Sequence, residues 1–461
     1  MAGAAADQKV AGLTHGNPDM AEPHVPPGTT KPASDSYRWW VVFMLWFVCF
    51  FNYADRQAIF SVFPLLESEM GLSKRQLGLV GSAFMWVYAA LAPFAGFTGD
   101  QARRKDLILG GFSFWSIITV ATGWATRFWH LVTFRALEGF GEAFYFPASM
   151  SMISDYHGPR TRSRAMSFHQ SSVYIGTIAG GALGGFFGQL YGWRVGFYVF
   201  GLSGLVLSVV LLRFLREPRR GQSDGAASTA GNQGRPFGVR AVLREIFRSP
   251  TAVILLMVFC GANFVAATFL TWTPSFLREK FQMNLTLAGL TATIYIQLAS
   301  AVGSPVGGLL ADTLARRFPG GRIVTQMIGL TLGAPFIFIT GTTLSVPALT
   351  ASMACFGFFK GMYDANIFAS VYDVIHPRAR ATAAGVMNSV GWMGGALAPL
   401  IIGDIITRAG AAQEVAAMSR AVAMGGVVYL AAASMLLVAA AAFVRRDKTS
   451  LRERIEKTDV A

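Results

Sequence analysis

Twelve mostly apolar stretches follow one another along the chain, at roughly 39–63, 76–98, 107–125, 128–153, 165–190, 193–215, 250–276, 286–313, 321–341, 346–374, 381–408 and 418–444. About 20 such residues are enough for a helix to cross the hydrocarbon core of a bilayer. Composition agrees, with 53% hydrophobic and 14% charged residues and a mean hydropathy of +0.45. Soluble domains carry about a quarter charged residues, so a soluble enzyme is excluded and an all-α integral membrane protein is expected. The longest polar gap, Leu215 to Ser249, splits the twelve helices into two bundles of six. The expected divisions are a disordered tail at 1–37, a bundle at 38–215, a linker at 216–249, a bundle at 250–444 and a tail at 445–461.

The net charge of +14 would suggest nucleic acid in a soluble chain. Here the basic residues gather in alternate loops, among them Arg103–Lys105, Arg160–Arg164, Arg316–Arg322 and Arg378–Arg380. This distribution places those loops, the linker and both termini on the cytoplasmic side of an inner (plasma) membrane, and nucleic acid is not expected as a partner. The first 36 residues lack the apolar core of a signal peptide. Cys49, Cys260 and Cys355 lie in apolar runs without ligand spacing, so neither a metal nor a disulfide framework is expected. No phosphate-cradling glycine loop lies outside the apolar helices. ATP is therefore not the energy source, and no cofactor is expected.

The loop after the second span reads Gly96-x-x-x-Asp100-x-x-x-Arg104-Lys105, and the loop after the eighth reads Gly308-x-x-x-Asp312-x-x-x-Arg316-Arg317. Two copies at equivalent places of a six-plus-six chain resemble the signature loop of the major facilitator superfamily, over about residues 38–445. The resemblance implies that Gly96, Asp100, Arg104, Gly308, Asp312 and Arg316 form latches gating the cytoplasmic side. Gly176, Gly180, Gly184 and Gly188 put a smooth stripe on the fifth span, similar to that superfamily's fifth-helix glycine motif.

An ionisable group in hydrocarbon costs about 2.5–3.5 kcal/mol on insertion scales, so each one is a functional candidate. The first span carries Asn52-Tyr53-Ala54-Asp55-Arg56-Gln57, and the fourth carries Arg135, Glu138 and Glu142 on one face. The two runs lie at overlapping depth. Asp55 and Glu142, with Arg135 and Glu138 beside them, are the expected proton-coupling groups. Asp55 is expected to pair with Arg56, its protonation releasing the arginine to a substrate.

These runs resemble two branches of the superfamily, the anion:cation symporters of sugar acids and organic anions and the spinster-like family. The resemblance to the symporters implies that Tyr53, Arg56 and Tyr88 line the substrate cavity. In the C-terminal half, Lys360 and Asp364 share a face of the tenth span with Tyr363 nearby, and Asn388 and Trp392 share one of the eleventh. These five complete the expected substrate-binding set. The expected function is secondary active transport, with proton-coupled uptake of a small organic anion by a monomer. The alternatives are a spinster-like exporter of an amphipathic lipid or drug and, more remotely, a non-transporting membrane receptor.

Overall fold

A computed structural model describes residues 35–158, 160–218, 239–376 and 379–459. The described residues form helices and no strand. A helix satisfies its backbone groups within its own segment, which hydrocarbon demands. The N-terminal half comprises α1 (Asp35–Ser61), α2 (Phe63–Met70), α3 (Lys74–Gln101), α4 (Arg104–Thr122), α5 (Phe128–Ala143), α6 (Tyr145–Tyr156), α7 (Arg162–Tyr191) and α8 (Trp193–Phe214). After α9 (Val239–Arg248) the C-terminal half comprises α10 (Pro250–Phe281), α11 (Leu285–Arg317), α12 (Gly321–Thr342), α13 (Val346–Asp364), α14 (Ile367–Tyr372), α15 (Arg380–Ala409), α16 (Glu414–Val438) and α17 (Val444–Asp459). Eight of the described helical segments are long and apolar enough to span a membrane. Adding α1, α4 and the end-to-end pairs α5–α6 and α13–α14 makes twelve crossings. Three of those four additions carry the charges singled out above, and the fourth crossing is further divided into two helices each too short to span alone.

The fourth and tenth crossings are broken, although their apolar patterns run on without a gap. Pro147 has no N–H to donate to the carbonyl four residues back, and the helix stops at Ala143 and restarts at Tyr145. In the tenth, the Asn366 side chain donates to the carbonyls of Met362 (3.0 Å) and Gly307 (3.1 Å), and the helix divides there. Both breaks occupy equivalent places in the two halves, beside Glu142 and Asp364. Discontinuous helices at membrane depth persist where backbone lines a cavity or is buried in protein.

The ends of the chain differ from expectation. The expected linker contains α9, and the expected tail is largely α17, whose Asp447 accepts from Ser249 Oγ (2.8 Å) and Thr251 N (3.0 Å) at the start of α10. Nearly all of the expected N-terminal tail, residues 1–34, lies outside the described residues, as does the polar core of the linker.

The halves pack most extensively where α3 lies on α15 and α7 on α11, with α1 also touching α10 and α11. The α7 glycines serve both sides. Gly176, Gly180 and Gly184 admit the backbone of α1, while a Cβ on Gly181 would lie 2.5 Å from the Gly289 carbonyl oxygen of α11. A Cβ on Gly289 would lie 2.0 Å from that of Gly181. These helices touch backbone to backbone. Among the described residues, the polar contacts between halves lie towards the end remote from the termini, here termed distal. Gln57 Nε2 donates to Leu270 O (3.0 Å), Thr286 Oγ1 bonds Gln189 Oε1 (3.0 Å) and Arg75 N donates to Thr407 Oγ1 (3.0 Å). Lys74, only 5% exposed, holds Glu67 of its own half (2.6 Å) together with Glu279 (2.8 Å) and Glu414 (2.5 Å) of the other. The distal end is closed.

Candidate functional site

A cavity of about 510 Å³ lies between the halves on the terminal side of these contacts. Tyr53, Arg56 and Gln57 reach it from α1; Gln170, Tyr174 and Thr177 from α7; Asn263 from α10; Gln297 from α11; Lys360 and Asp364 from α13; Trp392 from α15. Aromatic and aliphatic side chains, including Phe60, Met85, Phe269 and Phe356, form the remainder. Of the eight expected substrate-binding residues, five line this space. The other three do not. Tyr88 is buried behind the cavity with its ring on Trp392 (4.7 Å between centroids). Tyr363 is fully buried and packs towards Gly329 of α12, since its position is turned about 60° from that of Lys360 around the helix. Asn388 lies one turn nearer the terminal end than Trp392, outside the lining.

Arg56 is the centre of the N-terminal wall. Its guanidinium carbon lies 4.5 Å from the Phe84 ring centroid, 4.6 Å from Tyr53, 5.1 Å from Trp392 and 5.4 Å from Tyr88. A cation held over ring faces in a desolvated site gains from each quadrupole. Nε donates to Glu142 (3.1 Å), Nη2 pairs with the same carboxylate and donates to Asn52 Oδ1 (3.1 Å). Nη1 is buried without a partner among the described residues. The expected Asp55–Arg56 pair is not formed. Adjacent residues on a helix point about 100° apart, so Asp55 faces α4 instead, where Thr119 Oγ1 donates to it (3.3 Å) and its second oxygen has no partner among the described residues.

Close to Phe84 lies the second pair, Arg135 with Glu138, both buried, with Thr122 Oγ1 donating to Glu138 (3.4 Å) and the Arg135 guanidinium carbon 4.8 Å from the Phe84 ring centroid. One phenylalanine thus contacts both arginines. Three buried carboxylates, Asp55, Glu138 and Glu142, share two guanidiniums. Across the cavity Lys360 pairs with Asp364 four residues on. The arrangement offers a caged cation with a free donor on one wall and a self-neutralised lysine on the other.

The Major Facilitator Superfamily matches this chain over residues 45–399 and 278–458. The chain belongs to that superfamily. It is a multi-pass membrane transporter, not an enzyme. Protein spinster of Drosophila melanogaster is 27% identical over 401 residues, covering 83% of this chain and 65% of the fly protein. The probable galactarate/D-glucarate transporter GudP of Bacillus subtilis is also 27% identical over 401 residues, covering 81% of this chain and 87% of the relative. In fold the chain is similar to a bacterial homolog of the human lysosomal transporter spinster, crystallised in an inward-facing, unoccupied conformation, with a TM-score of 0.73 at 24% identity over 91% of this chain and 99% of that one.

The two loops that resemble the superfamily signature are built on different partners from those expected. Gly96 and Asp100 lie in the last turns of α3, and the Asp100 side chain is outside the described residues. Arg104 pairs with Asp155 at the end of α6, and Glu217 accepts from the backbone N of Arg104 (3.2 Å) and Lys105 (2.7 Å), capping α4. In the second copy Gly308 is half-buried and Arg316 is exposed. Asp312 instead meets Arg322 (3.3 Å), which pairs with Asp373 (2.7 Å) beyond α14. Arg316 lies at the end of α11 facing outwards, whereas Arg322 in the first turn of α12 folds back. The repeat is therefore Arg104–Asp155 and Arg322–Asp373.

Sequence reasoning passed over Tyr174 and Thr177. With Gln170 they recur at four and three residues on α7, a polar stripe concealed by the glycines between them. His169, near the start of α7, is buried, its ring nitrogen 2.8 Å from the Tyr145 hydroxyl.

Proposed function

We propose that the protein couples proton movement to transport of a small organic anion through this cavity by alternating access. The observation carrying the reading is the unpartnered Arg56 Nη1 in an otherwise saturated cage. A carboxylate that reached it would form a charge-assisted bond where water is scarce. Glu142 already holds the other two guanidinium nitrogens, so substrate and Glu142 compete for one cation. Protonation of Glu142 removes the competitor. Proton and anion then bind cooperatively, the linkage a symporter uses.

With distal contacts made, the site communicates with the terminal end, and positive-inside asymmetry assigns that end to the cytoplasm. On that orientation the conformation is inward-facing. Impermeant thiol reagent should fail to label a cysteine placed at Ser450, exposed on α17, in intact cells and should label it after permeabilisation; labelling without permeabilisation reverses the orientation.

The name of the Bacillus relative supplies the first substrates to try. Counterflow in proteoliposomes preloaded with galactarate or D-glucarate should drive labelled uptake that neutral hexoses do not elicit. The aromatic and aliphatic part of the lining favours a second reading, an amphipathic lipid carrier of the spinster kind. Counterflow by a lysophospholipid, with none by any hexarate, would replace the first reading with that one.

A further inference from the structure

The helix α9, which lies outside the transport cavity, has two contrasting faces. Val242 and Ile246 are buried, and Glu245 between them pairs with Arg454 of α17 at 2.7 Å. Ser249 caps α10 and is tied to Asp447, so the helix is pinned at its end and on one side. Its other face carries Arg240, Arg244 and Arg248 at every fourth position, all exposed. Phe247 stands among them, 73% exposed. None of the three arginines has an ion pair or side-chain hydrogen bond among the described residues.

Directly beneath Phe247 is a groove of about 510 Å³, lined by Ile246, Phe247, Val253, Leu256, Met257 and Val390, with Cys260 and Gly261 at its floor. It runs along the outer surface of α10, where Met257 is 56% exposed, towards α15. In a membrane that surface faces hydrocarbon. The site therefore presents unpaired guanidiniums at the interface and an apolar channel leading from them into the bilayer. Guanidinium forks match phosphate oxygens, and an amphipathic helix with basic and aromatic residues on one face lies at the headgroup boundary.

We propose that α9 and this groove form a binding site for an anionic phospholipid, its phosphate on Arg240, Arg244 and Arg248 and one acyl chain along Val253, Leu256 and Met257. An acidic protein segment would satisfy the arginines but has nothing to place in a groove that opens to lipid. A neutral phospholipid fills the groove but leaves the three charges unanswered. An anionic lipid answers both.

The test is native mass spectrometry of the full-length protein titrated with phosphatidylglycerol or phosphatidylcholine in detergent. Phosphatidylglycerol should bind preferentially. The triple variant Arg240→Gln, Arg244→Gln, Arg248→Gln should bind it about a hundredfold more weakly, the product of about a fivefold loss per arginine. The variant Met257→Trp, which fills the groove and leaves the arginines in place, should also lose retained lipid. A control triple, Arg445→Gln, Arg446→Gln, Arg452→Gln, removes the same charge from exposed positions of α17 and should retain it. Equal retention by the wild type and the α9 triple overturns the proposal, as does equal loss in the α17 control, which would mean diffuse electrostatic attraction. Displacement of the lipid by inorganic phosphate alone, with Met257→Trp without effect, overturns the acyl-chain half and leaves a headgroup site only.

Discussion

Replacing Arg56 with alanine is expected to abolish anion binding, measured as the loss of counterflow and of ligand-dependent thermal stabilisation. In the native protein the guanidinium serves Glu142, Asn52 and four rings at once. Without it a substrate carboxylate would be desolvated against Tyr53, Phe60 and Trp392 with nothing to pair. Removing one partner of a buried ion pair costs about 3–5 kcal/mol, and here the stranded partner is Glu142. The alanine variant should therefore also melt earlier. The double variant Arg56→Ala, Glu142→Gln separates the two effects, because it removes the stranded charge. It should recover much of the lost stability and none of the binding. Arg56→Lys keeps a charge but loses the planar fork that reaches Glu142 through two nitrogens while leaving a third free, and it should restore binding poorly. Unchanged anion affinity in the double variant would remove Arg56 from the substrate site and favour the lipid-carrier reading.

Trp392 gives this cage a further property. It is the one member of the four rings contributed by the C-terminal half, reaching Arg56 from α15 and stacking near Tyr88. The halves move relative to each other during alternating access, so the environment of the arginine changes with the conformation. On the proposed reading, a substrate bound at Arg56 would be in contact with both moving bodies, which a site built wholly within one bundle would not achieve.

What the sequence made legible follows from the cost of charge in hydrocarbon. Asp55, Arg56, Arg135, Glu138, Glu142, Lys360 and Asp364 stand out against apolar neighbours, and every one of them is buried in the network or lines the cavity. Pairing was a different matter. Neighbours in sequence suggested Asp55 with Arg56, but the turn between adjacent helical residues sends one to α4 and the other to Glu142 and the cavity. The distal closure was invisible for a related reason. Lys74, Glu67, Glu279 and Glu414 each sit at a helix end, where a charge is unremarkable, and only the fold collects them from four separate segments. The search for apolar runs likewise passed over α9, because its pattern alternates arginine with hydrophobic residues and its mean hydropathy is low. Helix breaks at Phe144 and Asn366 escaped because periodicity does not register a missing backbone bond.

The second large effect concerns the carboxylates. Glu142→Gln is expected to retain substrate binding and counterflow while losing accumulation driven by a pH gradient. Glutamine resembles the protonated acid in shape and cannot hold Arg56 as a carboxylate does, so the arginine stays available to the anion at every pH. For a cycle moving one proton per substrate, each pH unit of gradient supplies about 1.4 kcal/mol, about tenfold in accumulation; the variant should show none of it. Asp55→Asn should behave likewise by a different path. With three carboxylates against two arginines, one site in the network is short of a cation, and among the described residues Asp55 has Thr119 as its hydrogen-bond partner. Neutralising it fixes the charge balance that Glu142 would otherwise have to adjust. Two carboxylates that share one proton are not additive in their effects, so on this reading the double variant should be little worse than either single one. Proteoliposomes with and without an imposed acid-outside gradient distinguish the outcomes. Accumulation by both single variants at the parent level would make these carboxylates structural and leave the transporter to be driven by substrate concentration alone.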